Sequence, residues 1–365
     1  MTNTEMPIYR AAIIGTGRIG NSYDDEVVER RPLEYYQGDN RHIGLYVTLP
    51  VNHAEAYQTT PGFALVAAAN RGAEKLKAFG ERRGVKALYP DFRRMLAEEQ
   101  LDVVSVCTQS PEKAEVTIAA AEAGVKAIIV EKAMATSMAE ADAMIAACEA
   151  NDVLLVINHP YRFSPLVRRT EALIAEGAIG ELTSVTVHAS GGMLHVGTHT
   201  FDMMRYWAGD AIAVSAQLPN YVEGQDLPAL GMVTFANGMV GFFDHTHRDQ
   251  QSLAVRGTRG YMTISPMVGD GWLCQIEATL PATVKRQYPQ RLTVQPIEGV
   301  AHGCSITQQL LNEVHAALAH GHVVSSTGHD GAAALELGIA CHAAHLAGHA
   351  VALPLAERTL RVHNR

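Results

Sequence analysis

Residues 8–14 form a short apolar run that leads directly into Gly15-Thr16-Gly17-Arg18-Ile19-Gly20. A buried strand ending in G-x-G-x-x-G restricts what this chain can fold into more than any other feature. The glycines permit a tight turn and close approach of the backbone to a pyrophosphate, which then rests on the N-terminus of the next helix. Gly15, Thr16, Gly17, Arg18, Ile19 and Gly20 are therefore expected to bind a dinucleotide cofactor. The spacing alone is weak; the strand before it and its place near residue 1 give it weight.

The pattern that follows agrees. Short apolar runs at 63–69, 102–107, 125–130 and 153–157 read as buried strands. Between them 73–83, 95–99, 112–123 and 138–150 read as helices. Strand–helix–strand order implies right-handed crossovers and a doubly wound parallel sheet, an α/β Rossmann domain. Residues 21–51 break the rhythm and read as an inserted ordered loop or small excursion, which at that length is usually functional or mobile. Tyr23, Asp24, Asp25 and Glu26 are candidate substrate-binding groups there, and Tyr35 and Tyr36 could stack on a sugar ring. After about residue 180 the texture changes. Runs at 183–189, 213–217, 230–235, 239–244, 253–256, 261–265 and 273–279 read as strands of a large, mostly antiparallel sheet. Helical patterns at 199–207, 306–319 and 330–346 accompany it. The expected division is a cofactor domain over 1–135 and an α+β domain for substrate binding and oligomerisation over 136–365.

Composition excludes several classes. The 365 residues suit two domains, and 47% hydrophobic with 18% charged residues is ordinary for a globular protein. A formal net charge of −9 disfavours nucleic acid and anionic membranes as partners. The five cysteines are far apart and never in a C-x-x-C pair, against a disulfide framework or a thiolate zinc site. No secretory signal and no 18-residue apolar stretch is present, so a cytoplasmic protein is expected.

An acidic residue is expected about 20 residues beyond the glycines, at the end of the second strand. The literal count reaches Glu34 and Asp39, which no strand precedes. With 21–51 set aside as an insertion, Asn70 takes the ribose-reading position, with Arg71 beside it. Asn lacks the charge that repels a 2′-phosphate and Arg can pair with one, which favours NADP over NAD.

At this point the chain resembles the glucose–fructose oxidoreductase / inositol dehydrogenase / rhizopine-catabolism (Gfo/Idh/MocA) family of sugar dehydrogenases, over nearly its whole length. The resemblance rests on Gly15–Gly20, His53-Ala-Glu-Ala-Tyr57, Val104-Ser-Val-Cys-Thr108, Ala114-Glu115, Glu131-Lys132, Asn158-His159 with Arg162-Phe163, and Gly191-Gly192 leading to His199. It implies that Lys132 binds the reacting hydroxyl and moves its proton, beside Glu131 at the cofactor. It implies that His199 contacts substrate or relays the proton, and that His159 and Arg162 line the pocket. Thr108 and Gln109 would touch the cofactor. The family has proline where this chain has Ala133, so a cis or rigid turn is expected to be lost. It has an aspartate where this chain has His195, whose side chain, four residues from His199, is expected to share a helix face with it. A histidine there alters the site's charge by up to two units yet still titrates near neutrality. His195 and His199 together with Asp244–His247 also suggest zinc as a lesser alternative; no metal is expected. His53, Tyr57, Met203, Met204 and Trp207 read as core.

The implied function is NAD(P)-dependent oxidation of a secondary hydroxyl on a sugar, cyclitol or sugar acid, in a homodimer or homotetramer. Two alternatives stand: a cofactor-retaining enzyme that cleaves or isomerises glycosides through transient oxidation, and a non-catalytic sugar or cofactor sensor.

Overall fold

The computed structural model describes residues 6–26, 49–247, 251–277, 291–300 and 305–364. Tyr35 and Tyr36 lie outside them, as does most of the 21–51 segment.

Six parallel strands form the first sheet: β1 (Tyr9–Ile14), β2 (Phe63–Ala69), β3 (Ala87–Tyr89), β4 (Val103–Val106), β5 (Ala127–Glu131) and β6 (Leu154–Asn158), in the order β3-β2-β1-β4-β5-β6. Every residue of β4 and β5 is buried, as a parallel sheet covered by helices on both faces requires. The crossovers carry α1 (His53–Thr59), α2 (Ala73–Arg83), α3 (Phe92–Glu98), α4 (Ser110–Glu122) and α5 (Met138–Ala150). Strand order reverses between β1 and β4, and ligands of open α/β sheets bind at the carboxyl ends beside such a reversal. The parallel sheet continues to β6, so a boundary at 135 falls inside it.

The regular helix expected after the glycine turn is replaced by a widened single turn, Arg18–Ser22, and a short 3-10 helix, Tyr23–Glu26. The acidic run explains why. Buried Asp24 accepts from Arg82 (2.8 Å) at the end of α2 and lies 3.4 Å from Arg83; Asp25 accepts from Arg82 (2.7 Å), and Glu26 pairs with Arg18. These carboxylates tie the segment to α2. The expectation that they read substrate is corrected: of the four residues at 23–26, Tyr23 alone faces the cleft described below.

The second sheet has nine strands: β7 (Leu182–His188), β8 (Ala211–Gln217), β9 (Leu230–Phe235), β10 (Val240–Asp244), β11 (Ser252–Gly257), β12 (Gly260–Ser265), β13 (Asp270–Glu277), β14 (Arg291–Pro296) and β15 (Val351–Ala352). Their order is β14-β13-β12-β11-β7-β10-β9-β8-β15, antiparallel except for β7 beside β10. Period-2 alternation sends Val185, Val233, Phe243, Val255 and Met262 into the core. The other face carries a registered row: Met232, Phe242, Thr186, Ala254, Thr263 and Trp272. Phe242 and Trp272 are 47% and 46% exposed. On the core side, α7 (Gly197–Ala208) packs against β7 and α9 (Gly328–Ala347) against β8. The helix α9, opened by a Thr327/Asp330 capping box, also packs on α5 and β6 and so joins the two sheets. α6 (Pro165–Ala175) and α8 (Ile306–His320) complete the described helices. Among the described residues no helix is long and apolar enough to cross a membrane.

Candidate active site

A cleft of about 1320 Å³ opens at the carboxyl ends of β1, β4 and β5 and reaches across to the second sheet. Gly15, Gly17, Arg18, Ile19, Asn70, Arg71, Thr108, Gln109, Glu131, Lys132, His195 and His199 all line it. Thr16 and Gly20 do not; Gly20 packs against the Gly15 oxygen behind the turn.

The turn itself tests whether a dinucleotide fits. Gly15 has φ +99°, and a Cβ there would lie 2.7 Å from the Cys107 carbonyl. A Cβ on Gly20 would lie 2.3 Å from the Gly15 oxygen. A Cβ on Gly17, by contrast, would meet nothing within 4 Å; that side is open toward the cleft. The hydroxyls of Thr16 and Thr108 are buried without a partner among the described residues. Closed packing behind, open space in front and spare hydroxyls beside it fit a pyrophosphate cradle. At the ribose position the Asn70 amide donates to the Gly72 oxygen (3.1 Å), and the exposed Arg71 pairs with Glu112 of α4.

At the end of β5 stands Glu131-Lys132-Ala133. The Lys132–Ala133 peptide is cis, so the expected loss of a cis turn with proline's absence is corrected. The Glu131 carboxylate accepts from His53 Nε2 (2.9 Å) and Asn158 Nδ2 (2.7 Å). Burial opposes its ionisation, but His53, Asn158 and Lys113 outweigh burial and hold the carboxyl below the usual range. His53 is thus buried as expected, yet it is a buried polar partner rather than apolar filling. Burial pushes the Lys132 ammonium below its ordinary value, with the carboxylates of Glu131 and Asp226 pulling the other way. Lys132 Nζ donates to the His195 carbonyl (2.7 Å).

His195 lies in the turn before α7, so the expected shared helix face is corrected; the two imidazoles meet through the cleft instead. The charge on Lys132, then burial, lowers the His195 pKa. Burial, then Lys132, lowers that of His199 well below its ordinary value. Both are neutral near pH 7. Exchanging a carboxylate for His195 therefore changes the site charge by one unit, not two. His199 Nδ1 is buried without a partner among the described residues, and the ring stacks on Tyr161 at 5.1 Å. Tyr161 in turn donates to Gln251.

His159 and Arg162 do not line the cleft, which corrects their expected place in it. Arg162 Nη2 meets Asp202 (2.7 Å) and Asp330 (3.1 Å), and His159 Nδ1 lies 3.3 Å from Asp202. Burial would raise the Asp202 carboxyl, but His159 and Arg162 bring it down to about 2. This network locks the Pro160–Phe163 turn onto α7 behind His199. Four contributors escaped sequence reasoning: Lys113, Asp226, Tyr161 and Gln251. None left a signal: Lys113 lies between Glu112 and Glu115 and reads as an ordinary solvated helix residue. No group of three His, Cys, Asp or Glu side chains among the described residues is placed to hold a metal ion. Asp244 instead pairs with His247 (2.9 Å).

A Rossmann sheet, a glycine cradle and a lysine facing two neutral histidines define a two-domain oxidoreductase. The family model described as an oxidoreductase family with an NAD-binding Rossmann fold matches residues 9–159, and its C-terminal α/β domain matches 171–353. The chain belongs to the Gfo/Idh/MocA oxidoreductase family. It is 28% identical over 221 residues to the D-apiose dehydrogenase of Paraburkholderia graminis, covering 55% of this chain and 58% of that one. It is 28% identical over 272 residues to the levoglucosan dehydrogenase of Pseudarthrobacter phenanthrenivorans, covering 57% and 68%. A solved levoglucosan dehydrogenase in complex with NADH and L-sorbose superposes with a TM-score of 0.73 at 21% identity, over 96% of this chain and 100% of that one.

Proposed function

We propose that this protein oxidises a secondary hydroxyl of a sugar, cyclitol or sugar acid, reversibly and with NAD(P). One observation carries the reading: Lys132, His195 and His199 face the same cleft as the glycine cradle. The relatives named for D-apiose and levoglucosan support the substrate class.

The bound nicotinamide supplies the hydride acceptor. Gly15–Gly20, Thr108, Gln109 and Glu131 would hold the cofactor, with Asn70 and Arg71 at its ribose. As the neutral amine, Lys132 spends one N–H on the His195 carbonyl and turns its lone pair to the substrate hydroxyl. Burial lowers its pKa, which favours that neutral amine as acceptor of the hydroxyl proton. Neutral His199, with Nδ1 unpartnered, orients the same oxygen or accepts the proton onward. His195 holds Lys132 through its carbonyl and offers a neutral imidazole to a neighbouring hydroxyl.

NADP is favoured at the ribose through Arg71, which a 2′-phosphate would draw from Glu112. We further take the protein as cytoplasmic, its four described cysteines being free. The exposed row on the second sheet supports a reading as a homodimer or homotetramer.

The test is calorimetry with NAD+ and NADP+ on wild type, Arg71→Ala and Lys132→Met, followed by absorbance assays over a panel of sugars and cyclitols. Arg71→Ala should weaken NADP+ more than NAD+; equal weakening removes the NADP preference. Lys132→Met should bind cofactor and lose at least 100-fold in kcat. Wild type that binds cofactor yet oxidises none of the panel overturns the substrate class.

A further inference from the structure

Lys113 lies in the first turn of α4 and is 2% exposed. Burying an ammonium costs several kcal/mol unless hydrogen bonds replace its water. Here they do. Nζ donates to the carbonyls of Glu131 (2.7 Å), Lys132 (3.1 Å) and Ala133 (2.8 Å). Ser110 Oγ lies 3.4 Å from Nζ and itself donates to the Ala133 oxygen (3.2 Å). Three donors thus meet three consecutive carbonyls, the ones flanking the side chain of Lys132. With each N–H committed to backbone, Lys113 has none to offer a substrate.

The same turn is held at other points. Its Glu131 carboxylate is fixed by His53 and Asn158, and Lys132 Nζ by the His195 carbonyl. At Ala133, whose side chain has neither a ring nor a polar group, the hold falls on its carbonyl, bonded by Lys113 and Ser110. A proline there would restrict the backbone covalently.

We propose that Lys113 is a positioning residue that fixes the 131–133 turn from behind, supplying through three hydrogen bonds the restraint a proline at 133 would supply through its ring. Lys132 then projects toward His195 and His199 in one orientation. This rests on the reading of Lys132 as the proton-handling group, but its test does not need turnover.

Lys132 is probed by competitive acetylation with acetic anhydride across pH, read by peptide mass spectrometry. The groups around it are Glu131, Asp226, Arg18 and Lys113. In wild type Lys132 should label with a midpoint below that of surface lysines. Lys113→Met should raise the midpoint by about one unit and so reduce labelling at a pH below it. Removing the Lys113 charge alone could produce that rise, so the deciding variant is Lys113→Met with Ala133→Pro. Proline restores restraint without charge, and the midpoint should return toward wild type. A double variant as shifted as the single one overturns the proposal. So does a folded Lys113→Met with an unchanged Lys132 profile, which makes the lysine a packing element only. Should Lys113→Met fail to fold, the double variant must fold, and an unfolded double variant overturns the proposal. Wild type without hydride transfer would sink the function and leave this result standing.

Discussion

Burial governs the protonation of two histidines away from the cleft. His245 and His342 lie outside the catalytic group, are buried, and are pushed by burial down to about 4. In the unfolded chain they titrate near 6.5. Between those values the unfolded state binds more protons, so stability is complete above about pH 6.5 and falls as pH drops toward 4. Each contributes on the order of 3 kcal/mol across that window. Urea midpoints between pH 7.5 and 4.5 should decline accordingly, and His245→Gln should flatten the slope; a pH-independent midpoint contradicts the assignment. Legibility at this scale followed covalent order. Gly15, Lys132 and His199 could be read because neighbours in sequence define their motifs. Lys113 and Asp226 could not be given roles, because the carbonyls and N–H groups they hold lie 18 to 32 positions away.

At the scale of elements, the Pro160–Phe163 turn, α7 and α9 meet through the Arg162 ion network. Asp202→Asn leaves Arg162 buried with only Asp330 as a charged partner. Breaking one member of a buried pair costs about 3–5 kcal/mol, and denaturant titration should show a loss of that order together with a weakened Tyr161–His199 stack. A loss below about 1 kcal/mol would mean that water replaces the aspartate. Apolar runs revealed β1, β2, β4, β5 and β6 because a sheet covered on both faces demands continuous hydrophobic strands. β3 escaped because it is three half-buried residues long. The helix expected after the glycines failed because Asp24 and Asp25 are drawn to Arg82, a partner 57 and 58 residues later.

For the whole molecule, the exposed row from Met232 through Phe242 to Trp272 sets the expected assembly. The row mixes exposed Met232, Phe242 and Trp272 with Thr186 and Thr263, and exposed large apolar side chains of this kind suit an association surface. Phe242→Glu combined with Trp272→Glu should yield a monomer in sedimentation at concentrations where wild type is larger, with cofactor binding retained. A monomeric wild type removes the oligomer reading. By itself the sequence determined the two-sheet plan and the glycine cradle, because periodicity and motif spacing are local and survive without coordinates; the resemblance to a family singled out Lys132 and His199. Only the tertiary structure decided that His159 and Arg162 pair with Asp202 rather than line the cleft, that the His195 pKa is lowered, and that Lys113 bonds the carbonyls of residues 131–133. Burial and charge pairing depend on which distant residues become neighbours, and no local pattern encodes that.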